Sequence, residues 1–299
     1  VSVIDLREEL REGNRSVLSR SLRKAIENRL ECGEQAILFL NRRGYAGFVS
    51  CRSCGAVLKC PHCDVALTEH NNGRLVCHYC GYEQPRVEKC PVCGSPYIGG
   101  FKAGTQQIEQ VLHKNFPKAR ILRMDYDTTR AKGSYEKILS SFAAHEADIL
   151  VGTQMIVKGH DFPDVTLVGA LAADLSLNVA DYRCAERTFQ LLTQAVGRSG
   201  RGMKPGEAII QSYHPDHYSI QAAAAQDYEA FYQEEMAYRM LMDYPPAAHM
   251  LSVLVSGENE ELLEQGMDYL AKFVERIASR YRIPVIGPAY AAVGKVNDI

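Results

Sequence analysis

Tryptophan is absent, which by itself decides nothing. No run of about 18 apolar residues occurs, so no membrane-spanning helix is expected. The opening VSVIDLREELREGN lacks a basic stretch followed by an apolar one, so no secretory signal is expected either. Neither sign of charge dominates: 34 Lys and Arg stand against 36 Asp and Glu, for a formal net charge of −2. That balance excludes a histone-like polycation and a disordered, highly charged tail. No GxxxxGKS/T segment occurs, so the chain has no phosphate-cradling loop of that kind. Nor is there an internal repeat beyond paired cysteines, or a low-complexity tract.

What is present is enough for more than one core: 299 residues, 46% of them hydrophobic. Val17, Leu18, Leu22, Ile26 and Leu30 recur at helical spacing, and Gly33 ends the run. The continuous apolar run 36–40 suits a strand buried on both faces. After a cysteine-rich block the alternation resumes. Helices are expected over 104–116, 134–145 and 181–197, and strands over 120–125, 147–153, 165–174 and 207–213. Such alternation predicts an α/β fold, a parallel sheet covered by helices, with the cysteine block inserted after the first strand. From about 216 to 243 the chain reads as helical, stopped by Pro245 and Pro246. The segment beyond reads as strand (249–257), helix (259–281) and strand (283–288), a small α+β unit that breaks off without a closing element, as in a piece of a longer protein. The expected organisation is therefore 1–50 with 99–215, an insertion over 51–98, a helical connector over 216–245 and a truncated unit over 246–299.

Ten cysteines are the outlier, and eight form four CxxC pairs: Cys51/Cys54, Cys60/Cys63, Cys77/Cys80 and Cys90/Cys93. With no secretory signal a reducing compartment is expected, and metal ligation outweighs disulfides. Eight thiolates suit two closed four-cysteine sites, each holding one tetrahedral Zn2+. The spacing favours a nested arrangement, Cys60, Cys63, Cys77 and Cys80 in one site and Cys51, Cys54, Cys90 and Cys93 in the other. A crossed pairing stays open, and a sequential one is disfavoured by the short link between the first two pairs. A redox dithiol would present one such pair. An iron–sulfur cluster would use the same ligands but colour the protein. Gly55, Gly81 and Gly94 follow the second cysteine of their pairs, where a knuckle turn calls for positive φ, and Asp64 takes the equivalent place. Tyr79, Tyr82 and Tyr97 either pack around metal or offer rings for stacking on nucleic acid. The lone Cys32 and Cys184 are expected to be small packed side chains.

Three further segments carry charge or glycine at element ends: LNRRGYAG (40–47), GTQMIVKGHDFP (152–163) and QAVGRSGRG (194–202). A helix over 181–197 would bury Tyr182, Ala185, Phe189, Leu192 and Val196. Continued to residue 201, it would project Gln194, Arg198 and Arg201 together on the opposite side, within about 60° of one another. Planar guanidiniums suit the spreading charge of a transferring phosphoryl group.

QAVGRSGR resembles motif VI of superfamily 2 helicases, GTQMIVKGHDFP resembles motif V, and LNRRGY resembles motif IV. With four CxxC pairs inserted after LNRRGYAGFVS, the chain resembles the C-terminal half of the bacterial replication-restart helicase family, primosomal protein N′ (PriA). The resemblance implies a RecA-like second helicase lobe with a zinc-binding insertion. It implies that Arg198 and Arg201 meet the ATP γ-phosphate, that Gln194 opens the same motif, and that Gly159 and Asp161 lie near the nucleotide. It implies that Thr153 and Lys158 face the DNA strand, that Asn41, Arg42 and Arg43 lie near DNA or the lobe interface, and that the eight cysteines bind two Zn2+. ATP and Mg2+ are implied for a parent acting as a 3′-to-5′ helicase on forked and single-stranded DNA. Primosome proteins and single-stranded DNA-binding protein are the implied partners, in the cytoplasm and at the nucleoid of a bacterium. The first lobe's phosphate cradle and DEAH-like acidic motif are missing, so the chain alone is expected to be inactive. A non-catalytic zinc-ribbon adaptor for nucleic acid or protein is the alternative; it leaves Gln194, Arg198 and Arg201 without a role.

Overall fold

The structure is a computed structural model that describes residues 1–40, 48–70, 73–99, 104–157, 162–179, 181–200 and 204–291. Strand β1 (Ser2–Asp5) runs into helix α1 (Leu6–Arg11), and α2 (Arg20–Glu31) leads to β2 (Gln35–Leu40). Five short strands follow: β3 (Ser50–Cys51), β4 (Thr68–Glu69), β5 (Arg74–Val76), β6 (Glu83–Pro85) and β7 (Ile98–Gly99). Then come α3 (Thr105–Asn115), β8 (Ile121–Met124), α4 (Ser134–Ala143), β9 (Ile149–Gly152) and β10 (Val165–Leu171). Helix α5 (Cys184–Val196), strand β11 (Glu207–Ser212) and helices α6 (Tyr218–Ala225), α7 (Tyr228–Leu241) and α8 (Glu260–Tyr281) complete the order.

Six strands form one parallel sheet, in the order β1-β11-β10-β2-β9-β8. Every residue of β2 is buried, as its unbroken apolar run requires. Its side chains alternate between two layers. Ile37 and Phe39 join Leu139 and Phe142 of α4 and Phe189 and Leu192 of α5 on one face. Ala36, Leu38 and Leu40 join Leu22 and Ile26 of α2 and Ile108 and Leu112 of α3 on the other. Each fully buried Leu or Phe in these layers contributes roughly 1.5–3 kcal/mol relative to exposure. The α/β architecture is therefore the expected one. The cysteine block forms two small antiparallel sheets, β3-β7 and β4-β5-β6, around a separate cluster that includes Leu67 and Leu75.

The differences from expectation are local. Val17 and Leu18 precede α2, because Ser19 caps it: its hydroxyl accepts from Leu22 N at 3.1 Å, and its own N–H donates to Gln211 Oε1 at 2.7 Å. Strand β1 carries no clear period-two signal; it forms because β11 offers a free parallel edge. The helical stretch 216–243 is broken at Gln226, which adopts φ 57°, and Asp227 caps the second half. Residues 249–257 and 283–288 form no strand. An apolar run becomes a strand only against a partner, and among the described residues none pairs with them; Leu251 stays 88% and Leu254 79% exposed. Cys32 is exposed, not packed, because it is the C-cap of α2, beyond the buried turns. Cys184 is partly buried, and desolvation pushes its thiol up to about 11. Among the described residues no helix is long and apolar enough to cross a membrane.

Candidate metal centres and motor-lobe site

The four CxxC pairs adopt one local structure four times. Each first cysteine's carbonyl accepts a hydrogen bond from the residue after the pair: Gly55 at 2.8 Å, Asp64 at 3.0 Å, Gly81 at 2.9 Å and Gly94 at 2.8 Å. Those residues sit at φ 82°, 50°, 77° and 69°, the left-handed turn expected at these positions. Each first cysteine's own N–H donates one residue further on, to Ala56, Val65, Tyr82 or Ser95, at 2.8–2.9 Å.

The knuckles assemble in two sets: Cys51, Cys54, Cys90 and Cys93 meet in one, and Cys60, Cys63, Cys77 and Cys80 in the other, with the sulfurs of each set within 4.8 Å of one another. The grouping is the nested one. Sulfur–sulfur distances are 3.7 Å for Cys51–Cys93, 3.6 Å for Cys54–Cys90 and 3.6 Å for Cys60–Cys80. A tetrahedron with metal–sulfur bonds of about 2.3 Å has edges of about 3.8 Å. Both sets therefore fit a zinc ion in donor type, number and size. Without metal the first set is electrostatically divided. Burial raises Cys54 to about 12, whereas at Cys90 burial is outweighed by the backbone N–H groups of Cys93 and Val92, which bring it down to about 7. A divalent cation removes that conflict by drawing all four thiols to thiolate. Tyr79 and Tyr82 pack around the sulfur cluster, while Tyr97 is 53% exposed.

Two of the places where the cysteine region meets the rest of the described chain lie at its knuckles. His214 Nε2 donates to the Gly55 carbonyl, and a Cβ on Gly55 would lie 2.6 Å from the Tyr213 carbonyl oxygen. Tyr213 and His214 are held in turn by Asp174, in the short helical turn that follows β10. Asp174 accepts from Tyr213 N at 2.8 Å and Ser212 Oγ at 3.0 Å, and Ser212 Oγ accepts from His214 N at 2.8 Å. Burial pushes the Asp174 carboxyl well above the usual carboxylate range. At the second place Tyr244 Oη donates to the Cys63 carbonyl at 3.0 Å, and Tyr79 Oη accepts from Tyr182 N at 3.1 Å.

Helix α5 buries Ala185, Phe189, Leu192 and Val196 and leaves Gln194 exposed on the other side. Tyr182 lies ahead of the helix. The helix also ends earlier than the motif: Gly197 is its C-cap, and the chain turns through Arg198 to Gly200, at φ 73°. Arg198 thus hangs from a turn after α5 and is not part of a continued helical stripe, because glycines at 197 and 200 favour termination over extension. That turn is pinned by a close approach. A Cβ on Gly200 would overlap the Gly206 backbone, and one on Gly206 would overlap Ser199 and Gly200. Thr153 stands at the end of β9, half-buried, its N–H donating to the Met124 carbonyl at 3.3 Å. Asn41, Arg42, Arg43, Lys158, Gly159, Asp161 and Arg201 lie outside the described residues. Asp174, Arg239, Tyr244 and Gly206 do not stand out as site residues in the sequence. An aspartate ending the apolar run VTLVGALAAD was the one available signal, since a charge buried among apolar residues needs partners.

The chain is similar in sequence to known proteins. Residues 60–85 match the family described as PriA DNA helicase Cys-rich region (CRR) domain, and residues 100–203 match the Helicase conserved C-terminal domain. Replication restart protein PriA of Bacillus subtilis (strain 168) is 50% identical over 299 residues, covering 100% of this chain and 37% of that protein. The protein of the same name from Synechocystis sp. is 45% identical, over 99% of this chain and 36% of its own length. The chain therefore spans little more than a third of these relatives. Among solved structures, Mss116p DEAD-box helicase domain 2 bound to an RNA duplex aligns over 76% of this chain and 58% of its own, at 13% identity and a TM-score of 0.39.

Proposed function

We propose that this chain, which resembles replication restart protein PriA from end to end, is the second motor lobe and zinc-binding part of an ATP-driven 3′-to-5′ DNA helicase. The observation that carries the reading is the joining, in one chain, of a helix-covered parallel sheet, with the sequence QAVGRSGR ahead of its strand β11, and two four-cysteine clusters seated on it. Neither a metal module nor a sheet domain alone requires the other.

In this reading Arg198 and Arg201 reach across a gap to a nucleotide held by a first lobe. Their fixed charge neutralises negative charge that develops on the transferring phosphoryl oxygens. Gln194 orients the reacting end, and Gly159 and Asp161 lie against the nucleotide. Thr153, Lys158, Asn41, Arg42 and Arg43 grip the backbone of one DNA strand, so binding is salt-sensitive and largely independent of sequence. The clusters keep the cysteine region folded beside the path of the strand, where forked DNA, primosome proteins and single-stranded DNA-binding protein would be met. Zinc supplies structure there and no reaction step. The parent would work in the bacterial cytoplasm, at the nucleoid.

The test supplies the first lobe and measures DNA-stimulated ATP turnover. Arg201→Ala and Arg198→Ala are each expected to lower it by about 10³-fold or more, the usual size of an arginine contribution at this step. Unchanged turnover would overturn the reading and leave a zinc-ribbon adaptor. The chain alone is expected neither to hydrolyse ATP nor to unwind DNA.

A further inference from the structure

We propose that Tyr182 and Arg239 are positioning residues that join the Cys60/Cys63/Cys77/Cys80 cluster to the start of α5, so that metal in this cluster holds the helix leading to Gln194 and Arg198. The consequence for turnover rests on the motor reading above; the linkage itself does not.

Tyr182 stands two residues before α5; it touches one knuckle of that cluster directly and reaches the other through Tyr244. Its N–H donates to Tyr79 Oη at 3.1 Å, and Tyr79 lies inside the Cys77–Cys80 knuckle. Its ring stacks on Tyr244, with centroids 5.1 Å apart and planes 18° apart. Tyr244 in turn donates to the Cys63 carbonyl at 3.0 Å. The Arg239 guanidinium lies 4.8 Å from the centre of the Tyr182 ring, with Arg239 only 3% exposed. It pairs with Glu235 at 2.5 Å and with Glu186, in the first turn of α5, at 3.0 Å, and it donates to the Pro245 carbonyl. Knuckle, aromatic stack, buried cation and helix are thus one connected set. The other cluster is tied elsewhere, through Gly55 to Tyr213 and His214 beyond β11.

The chemistry of the joint favours two discrete arrangements over gradual loosening. Apolar side chains would seat one domain on another at least as firmly as a buried ion pair does. A buried guanidinium, however, cannot lose one carboxylate partner cheaply, so it stays fully paired or leaves the joint. If the Cys60–Cys63 knuckle opens, Tyr244 loses its acceptor, Tyr182 loses its stacking partner, and Arg239 no longer has a fixed place beside Glu186.

The experiment uses the whole zinc-loaded chain without nucleotide or DNA. It reads zinc stoichiometry by native mass spectrometry and amide exchange over 184–196. Cys60→Ser is expected to lose one zinc and to speed exchange at the start of α5 by about tenfold, as local opening is released. Cys51→Ser is expected to lose the other zinc and leave that exchange within about twofold. Tyr244→Phe, which removes only a hydroxyl, is expected to hasten chelator-driven loss of one of the two zincs by about five- to tenfold, the usual worth of one hydrogen bond. Arg239→Lys is expected to raise exchange over 184–190 with both zincs retained. Equal effects of Cys60→Ser and Cys51→Ser on α5 would overturn the proposal. Should either fail to fold, wild-type behaviour of both Tyr244→Phe and Arg239→Lys would do the same. None of these readouts involves ATP, so their failure leaves the motor reading standing, and unchanged turnover in Arg201→Ala would leave the linkage standing.

Discussion

Gly55 and Gly94 provide a matched pair in one four-cysteine set, and replacing each with alanine separates backbone strain from docking. Both sit in the left-handed region, at φ 82° and 69°. An L side chain there costs roughly 1–2 kcal/mol. A Cβ on Gly94 meets nothing within 4 Å, so Gly94→Ala is expected to cost about 1–2 kcal/mol and no more. A Cβ on Gly55 would lie 2.6 Å from the Tyr213 carbonyl oxygen and 3.0 Å from the His214 ring. The oxygen belongs to the backbone following β11 and cannot swing aside, so an overpacking cost of about 1–3 kcal/mol is added. Gly55→Ala is thus expected to lose about 2–5 kcal/mol, a large part of a typical domain stability of about 5–15 kcal/mol. Urea unfolding of the zinc-loaded variants measures both, with m-values checked against the parent chain. Native mass spectrometry confirms two zincs in each before unfolding. Equal losses in the two variants would refute the reasoning, because they would mean that the knuckle does not press on the Tyr213 carbonyl.

The cysteine grouping is tested by double replacement: Cys51→Ser with Cys93→Ser is expected to remove one zinc, and Cys51→Ser with Cys60→Ser both, counted by native mass spectrometry. Gly206→Ala is expected to displace the turn carrying Arg198, lowering thermal stability by about 1–3 kcal/mol and ATP turnover of the two-lobed assembly; wild-type turnover would separate Arg198 from that turn. Burial, with the nearby charges of His214 and Lys59, holds the His217 imidazole down to about 4. The folded chain keeps it neutral where the unfolded chain protonates it, so stability falls as pH drops from about 6.5 to about 4. His217→Asn keeps a side chain able to cap α6 and is expected to remove that part of the pH dependence, read as the difference between the two unfolding profiles.

Legibility in the sequence followed the range of the interaction. Helix–strand alternation is written in local hydrophobic period, so β2, α3, β8, β9, β10 and β11 fall where the pattern puts them. Positive φ at Gly55, Asp64, Gly81 and Gly94 was legible for the same reason, since a knuckle is closed within five residues. Pairing between segments was not. Strand β1 depends on an edge offered by β11, some two hundred residues away, and the apolar run at 249–257 lacks a described partner that would make it a strand. In the site, Gln194 was readable from helical spacing, but the helix ends at Val196 because the stop is set by Gly197 and by the contact between Gly200 and Gly206. Arg239 and Tyr244 gave no local signal: an arginine and a tyrosine in a polar helical stretch look like solvated surface until the fold brings Glu186, Tyr182 and Cys63 to them.

The bonds made by His214 and Tyr244 end on carbonyl oxygens of Gly55 and Cys63, main-chain atoms that every residue type possesses. A graft that exchanges the outward residues of the cysteine region, such as Val92 or Tyr97, while retaining the glycine at 55 would therefore keep those two attachments. Recognition surfaces could be swapped on a constant mount, and what the region touches can be re-engineered apart from how it is carried.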